Sequence, residues 1–277
     1  MRRFVAILIA VFVVSAAVPV AAQGVSEPLF DRFNFKLEGS FVDLTTTIRL
    51  DSEYLGEGTE LRFEDDLGLS NGEVVPSLSF EWQVGRRHRL GVRWQDVDRD
   101  STAQALTEIH WGDEIIPIEA NISLGFDITT YAVDYTYYPW IKERWAGGFG
   151  IGFRVLDITT ALAVDEIELE EQVNASAPLP YINFEYRRML GEHWRMKAGL
   201  GWLDVTVGDI SGSQYIGRLA FEYITGKLWG FGAAVNLSSV DVDWDVLAGG
   251  EDQADLSGHV ELGINDVSLY VRIRFGS

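Results

Sequence analysis

Four acidic residues stand inside apolar or aromatic brackets: Phe80-Glu81-Trp82, Val133-Asp134-Tyr135, Phe184-Glu185-Tyr186 and Phe221-Glu222-Tyr223. A carboxylate between two large apolar side chains is tolerable where successive side chains point opposite ways. The flanks then meet an apolar medium and the acid a polar one. The same parity sends Arg89, Arg93, Arg154, Arg187, Arg195, Lys197, Arg218, Arg272 and Arg274 to the side of the acids. Two kinds of chemistry are open to such a set. The charges can pair into a network that plugs a narrow interior, since an unpaired charge in confinement is costly. Alternatively, the surplus of Arg and Lys can line a small water-filled passage that favours anions. Small residues on the same face, Ala146, Gly148, Gly150 and Gly152 with Gly230, Gly232 and Ala234, either leave space for that passage or receive long side chains from the opposite wall. Filling is the preferred reading of both features.

A second set could do hydrolysis. His259 is expected to begin the last strand across from Asp241, Asp243 and Asp245, with Ser257 on its face. An Asp-His pair there could polarise water, or the imidazole could activate the serine. His88 and His193 lie beside short turns and His110 in a loop, where a polar turn residue is the simpler reading. Acidic groups at Glu64-Asp65-Asp66, at Asp165 to Glu171 and at Asp241 to Asp245 could collect divalent cations, but none follows an EF-hand pattern. The chain has no cysteine, so thiol nucleophiles, thiolate metal sites and disulfides are excluded. No catalytic residue, metal ligand or cofactor is assigned. A formal net charge of −20 speaks against nucleic-acid binding.

Strands must position these residues. Trp229 to Leu237, Trp194 to Trp202, Tyr215 to Tyr223 and Val267 to Phe275 each alternate between an apolar face and a polar or small one. Such runs match the 9–11 residues that a tilted strand needs to cross a bilayer. Aromatics at their ends, as in Trp194 with Trp202, suit the membrane interfaces. Ten strands are expected, at 33–50, 74–84, 88–104, 117–138, 144–164, 174–188, 193–208, 213–225, 228–245 and 257–275. Eight or twelve are the alternatives, since 59–63 could add a strand. Short turns near 85–87, 139–142, 190–192 and 226–227 oppose longer acidic connections near 51–73, 96–114, 165–172 and 246–256. The four bracketed acids should then sit at similar depth near the short-turn end, on alternate strands. The outward apolar phase slips at Thr129-Thr130, Val155-Leu156 and Asn265-Asp266, which predicts bulges where strands leave the bilayer.

The N-terminus supplies an address. Met1-Arg2-Arg3, an apolar run from Phe4 to Val14 and Val20-Ala21-Ala22 make a secretory leader, 1–22, ahead of a single domain, 23–277. Cleavage there removes Arg2 and Arg3 and takes the formal charge from −20 to −22.

The leader, the alternating strands, the turn asymmetry and the closing Leu269-Tyr270-Val271-Arg272-Ile273-Arg274-Phe275 together resemble the Gram-negative outer-membrane β-barrel proteins, in the manner of small porin-like barrels. That resemblance implies an all-β, antiparallel up-and-down transmembrane barrel in the outer membrane. It implies lipid and lipopolysaccharide as surroundings and the barrel assembly machinery as a partner in biogenesis. Gly276 and Ser277 after Phe275 depart from the terminal aromatic that this machinery reads. The function expected is structural or interactive, with a narrow anion-biased pore as its finer form. A barrel-borne hydrolase of lipid or peptide and a soluble secreted β-protein are the alternatives.

Overall fold

The computed structural model describes residues 29–52, 56–70, 72–105, 108–111, 114–164, 169–207, 210–226, 228–247 and 256–275. The expected leader lies outside them, as do Asp165, Glu166 and Glu168. The strands are β1 (Phe33–Ser52), β2 (Leu61–Arg62), β3 (Gly72–Val84), β4 (His88–Gln104), β5 (Ile109–Trp111), β6 (Glu114–Ile116), β7 (Asn121–Ile141), β8 (Trp145–Val164), β9 (Leu169–Met189), β10 (Trp194–Val207), β11 (Ile210–Thr225), β12 (Trp229–Leu247) and β13 (Leu256–Phe275). One turn of helix, α1 (Phe63–Asp66), follows β2.

Ten long strands pair antiparallel in the order β13-β12-β11-β10-β9-β8-β7-β4-β3-β1, and β13 pairs with β1 along its length to close the ring. β2 is the segment for which a further strand was an alternative. It pairs only with Thr47 and Ile48 of β1, above the point where β3 ends, and so belongs to the outer loop. The connection expected at 165–172 is shorter than the sequence suggests. β8 and β9 stay paired up to Val164 and Leu169, because the acids from Leu169 onward continue the ladder. The short turns lie at one end with the first and last described residues, Leu29 and Phe275, and two of them contain glycines at positive φ, Gly85 (64°) and Gly226 (60°).

Both faces of the wall change chemistry midway along the strands. In the lower half of β1, Phe35, Leu37 and Phe41 face outward and are exposed, while Asn34, Lys36, Glu38 and Ser40 are buried inside. Two residues further up the inside turns apolar, with Val42 and Leu44 buried and Asp43 and Thr45 exposed outside. β7 repeats the exchange: Asp134 and Thr136 face inward below, and Ile122, Leu124, Phe126 and Ile128 are buried inside above. The expected bulges are absent. β7 pairs with β4 and β8 without a break at Thr129-Thr130, β8 with β7 and β9 at Val155-Leu156, and β13 with β1 and β12 at Asn265-Asp266. What looked like a phase slip is an exchange of solvents across an unbroken ladder. Lipid surrounds the lower wall, so apolar residues face out. Water surrounds the upper wall, so they face in.

The upper interior holds a core like that of a soluble protein. Leu61 of β2, Phe63 of α1, Leu67 and Leu69 descend from the first long loop onto Val42, Leu44, Phe126 and Ile128. Ile109 and Ile116 of the β5–β6 hairpin close it from above. Phe63 meets Phe126 edge-on at 5.3 Å between ring centroids. Phe126→Ala should therefore cost about 3–5 kcal/mol of stability in a urea titration of refolded protein, as for a large aromatic removed from a close-packed core.

Candidate functional site

The inward charges form three tiers. The lowest is built on a segment that the strand pattern does not reveal. Residues 29–32, ahead of β1, tuck into the short-turn mouth, where Leu29 and Phe30 are buried. Asp31 pairs there with Arg195 at 2.7 Å, with Arg272 and with Arg274 at 3.3 Å. Glu222 joins the same cluster through Arg195 at 2.7 Å and Arg272 at 3.1 Å. Arg195 also donates to the Leu29 carbonyl. Burial alone would raise the Asp31 pKa, yet the guanidinium groups of Arg195 and Arg272 outweigh it and hold the carboxyl well below the usual carboxylate range.

The middle tier centres on Glu81 of β3. Its carboxylate meets Lys36 of β1 at 2.6 Å, Lys197 of β10 at 3.0 Å, Arg187 of β9 at 3.1 Å and Arg89 of β4 at 3.6 Å. Arg89 also binds Asp134 at 2.8 Å and Glu185 at 2.6 Å. Glu185 pairs further with Arg187 and accepts from the Tyr138 hydroxyl at 2.6 Å. Arg187 lies over the rings of Phe30 and Tyr138, which ties this tier to the tuck below. β3 and β10 are five places apart in a ring of ten, so the Glu81–Lys197 pair spans the lumen across its diameter.

In the upper tier Glu38 of β1 binds Arg93 at 2.9 Å and Arg218 at 2.8 Å. Asn236 links Arg218 to Asp266. Arg154 of β8 crosses the lumen and donates from Nη1 to Ser238 of β12 at 2.9 Å. Above it the apolar core begins, pierced by one further pair: buried Arg99 holds Glu64 of α1 at 2.6 Å and the Thr46 hydroxyl at 2.9 Å.

All thirteen residues expected in the lumen, Glu81, Arg89, Arg93, Asp134, Arg154, Glu185, Arg187, Arg195, Lys197, Arg218, Glu222, Arg272 and Arg274, thus lie on the inner face. The four bracketed acids stand on alternate strands, β3, β7, β9 and β11, but their contacts do not form one layer. Glu222 belongs to the Asp31 cluster, and the other three share Arg89. Sequence reading passed over Asn34, Lys36 and Glu38, although the parity of β1 points to them. It could not have found Asp31, which is on no strand. The glycine-rich faces receive side chains. A Cβ on Gly152 would lie 2.1 Å from the Tyr181 ring, one on Gly232 2.3 Å from that of Tyr270, and one on Gly230 2.7 Å from the Arg272 guanidinium.

The hydrolytic set turns away from the lumen. His259 Nδ1 meets Asp243 at 2.8 Å and Asp241 at 3.8 Å on the outer side of the wall. Among the described residues no hydrogen bond joins His259 to Ser257. The acidic group in the first loop is divided among bases, with Glu64 on Arg99, and Asp65 and Asp66 on Arg62.

No protein-family model matches the chain, and no curated protein matches it in sequence. Its structure is similar to that of the outer membrane protease OmpT from Escherichia coli, with a TM-score of 0.59 at 9% identity over 90% of this chain and 100% of that one. Lower scores relate it to the transport unit of the autotransporter AIDA-I from Escherichia coli (0.44, 9% identity, 95% and 96% covered) and to the outer membrane protein OprG from Pseudomonas aeruginosa (0.38, 10% identity, 92% and 100% covered). The fold is that of the Gram-negative outer-membrane β-barrels, and the exposed apolar band of the lower wall is the surface that such a barrel presents to lipid.

Removing one partner from a buried charge cluster leaves the others uncompensated. Asp31→Asn should lower stability by about 3–5 kcal/mol at pH 7. A depressed folded pKa stabilises above the unfolded value of about 3.9, and that contribution fades as the carboxylate is protonated below it. The gap between wild type and Asp31→Asn in urea titrations should therefore stay constant from pH 7 to about 5 and narrow below about 4.

Proposed function

We propose that this chain is a closed outer-membrane barrel of structural or interactive type, set in lipid and lipopolysaccharide and inserted by the barrel assembly machinery. The observation that carries the reading is the Glu81–Lys197 bridge across the full diameter of the ring, with the Asp31 tuck below it and the apolar core above. A lumen filled at three levels supports stability and surface presentation better than free passage. Refolded protein in planar bilayers should give no steady conductance. Glu81→Ala combined with Asp31→Ala should weaken two of the three closures and produce brief, anion-biased openings. Steady channels in the wild type would overturn the reading.

The narrow anion pore is the second reading, favoured by the basic surplus of the upper tier, where Arg93, Arg154 and Arg218 face Glu38 and Asp266. An enzymatic role has less support. OmpT is a protease by description, but the likeness to it is one of fold, and here packed apolar side chains fill the interior toward the outer mouth among the described residues. Ester and peptide hydrolysis should be undetectable, and His259→Ala should change nothing in such an assay.

A further inference from the structure

A cavity of about 220 Å3 lies in the lumen between the middle charge tier and the apolar core. Six basic side chains line it against four acids. The acids are engaged: Glu81, Asp134 and Glu185 share Arg89, and Asp266 accepts from Asn236. Glu38, beside the cavity, clamps both Arg93 and Arg218. Arg154 is the cation left over. Among the described residues it meets no carboxylate, and its one hydrogen bond goes to Ser238. Its Nε is buried with no acceptor among the protein groups, and so is Nε2 of Gln95, which lines the same cavity. An isolated cation in so confined a place is costly unless a negative partner is supplied.

We propose that the cavity is a binding site for a small oxyanion, held by the Arg154 guanidinium with help from Gln95 and the neighbouring Arg93 and Arg218. Two observations fix the ligand class. The unmatched lining groups, Arg154 Nε, Gln95 Nε2 and Arg89 Nε, are all donors, which call for an acceptor. The leading one is a guanidinium, whose planar fork suits the paired oxygens of a carboxylate, sulfate or phosphate better than a spherical halide. The volume exceeds the roughly 30 Å3 of one water several times over, so a tetrahedral oxyanion fits with some of its hydration. The site is independent of whether the lumen conducts. It takes only its loading route from the closed-barrel reading, under which the cavity fills most readily while the barrel folds.

The test is to refold the protein into detergent micelles in selenate or in chloride at equal ionic strength. Unfolding temperature is then measured, and crystals of the selenate form are examined for selenium anomalous scattering. The expected result is a selenium peak beside the Arg154 guanidinium and a saturable rise in unfolding temperature with selenate. Arg154→Gln should remove the peak and weaken the apparent affinity at least tenfold while leaving stability in chloride unchanged or higher, since it removes an uncompensated charge. A purely structural arginine would instead lose stability equally in both salts. If Arg154→Gln does not refold, Ser238→Ala, which frees the guanidinium from its anchor, should weaken the selenate response alone. No selenate-dependent rise, a peak confined to surface arginines, or an undiminished response in both variants would overturn the proposal. Silent bilayers with selenate bound leave both readings standing. Conductance with selenate bound overturns only the closed barrel.

Discussion

A ring of ten strands is so narrow that side chains from opposite walls touch, and most of the interior follows from that contact. Lys197 reaches Glu81 across the diameter, Arg154 reaches Ser238, and Arg187 stacks on Phe30 and Tyr138. In such a lumen every inward side chain has a partner on another strand or is an electrostatic cost. The glycines are the other side of the same constraint. Tyr181 and Tyr270 have room only because Gly152 and Gly232 carry no side chain where the rings lie. The wall and its filling are thus one packing problem, and large residues on one strand are matched by absent ones on the next.

The upper half of the molecule solves a different problem with the same strands. Once the wall rises out of lipid there is no external apolar phase, so its apolar residues turn inward and need material to pack against. The first long loop supplies it through Leu61, Phe63, Leu67 and Leu69, and the β5–β6 hairpin adds Ile109 and Ile116. Glu64 goes in with them and meets Arg99, and it also accepts from the Thr46 amide. An acid that looks like loop solubility in sequence is a buried anchor in the fold.

Alternation made the lower half legible. Phe184-Glu185-Tyr186 states its own orientation, because no other arrangement satisfies all three side chains in a wall between lipid and a polar lumen. The same parity reaches Lys36, between Phe35 and Leu37, and Glu38, where Leu37 and Gly39 make a fainter signal than paired aromatics. The upper half misled for a physical reason: Phe126 and Ile128 are apolar and inward, whereas apolar residues lower on the same strand are outward. Periodicity records spacing and carries no label for the solvent on each side. Asp31 was illegible altogether, since a residue outside the strands has no parity, and its partners Arg195 and Arg272 lie 164 and 241 positions away.

The Asp31 cluster also has a place in time. Its carboxylate comes from the first residues of the described chain, while Arg272 and Arg274 come from β13, the last strand and the one that closes the ring on β1. The tuck therefore cannot be fully seated until the final strand has found the first. The first and last described segments are joined twice, by a ladder in the wall and by a charge cluster at its foot, and the second joint records whether the first is complete.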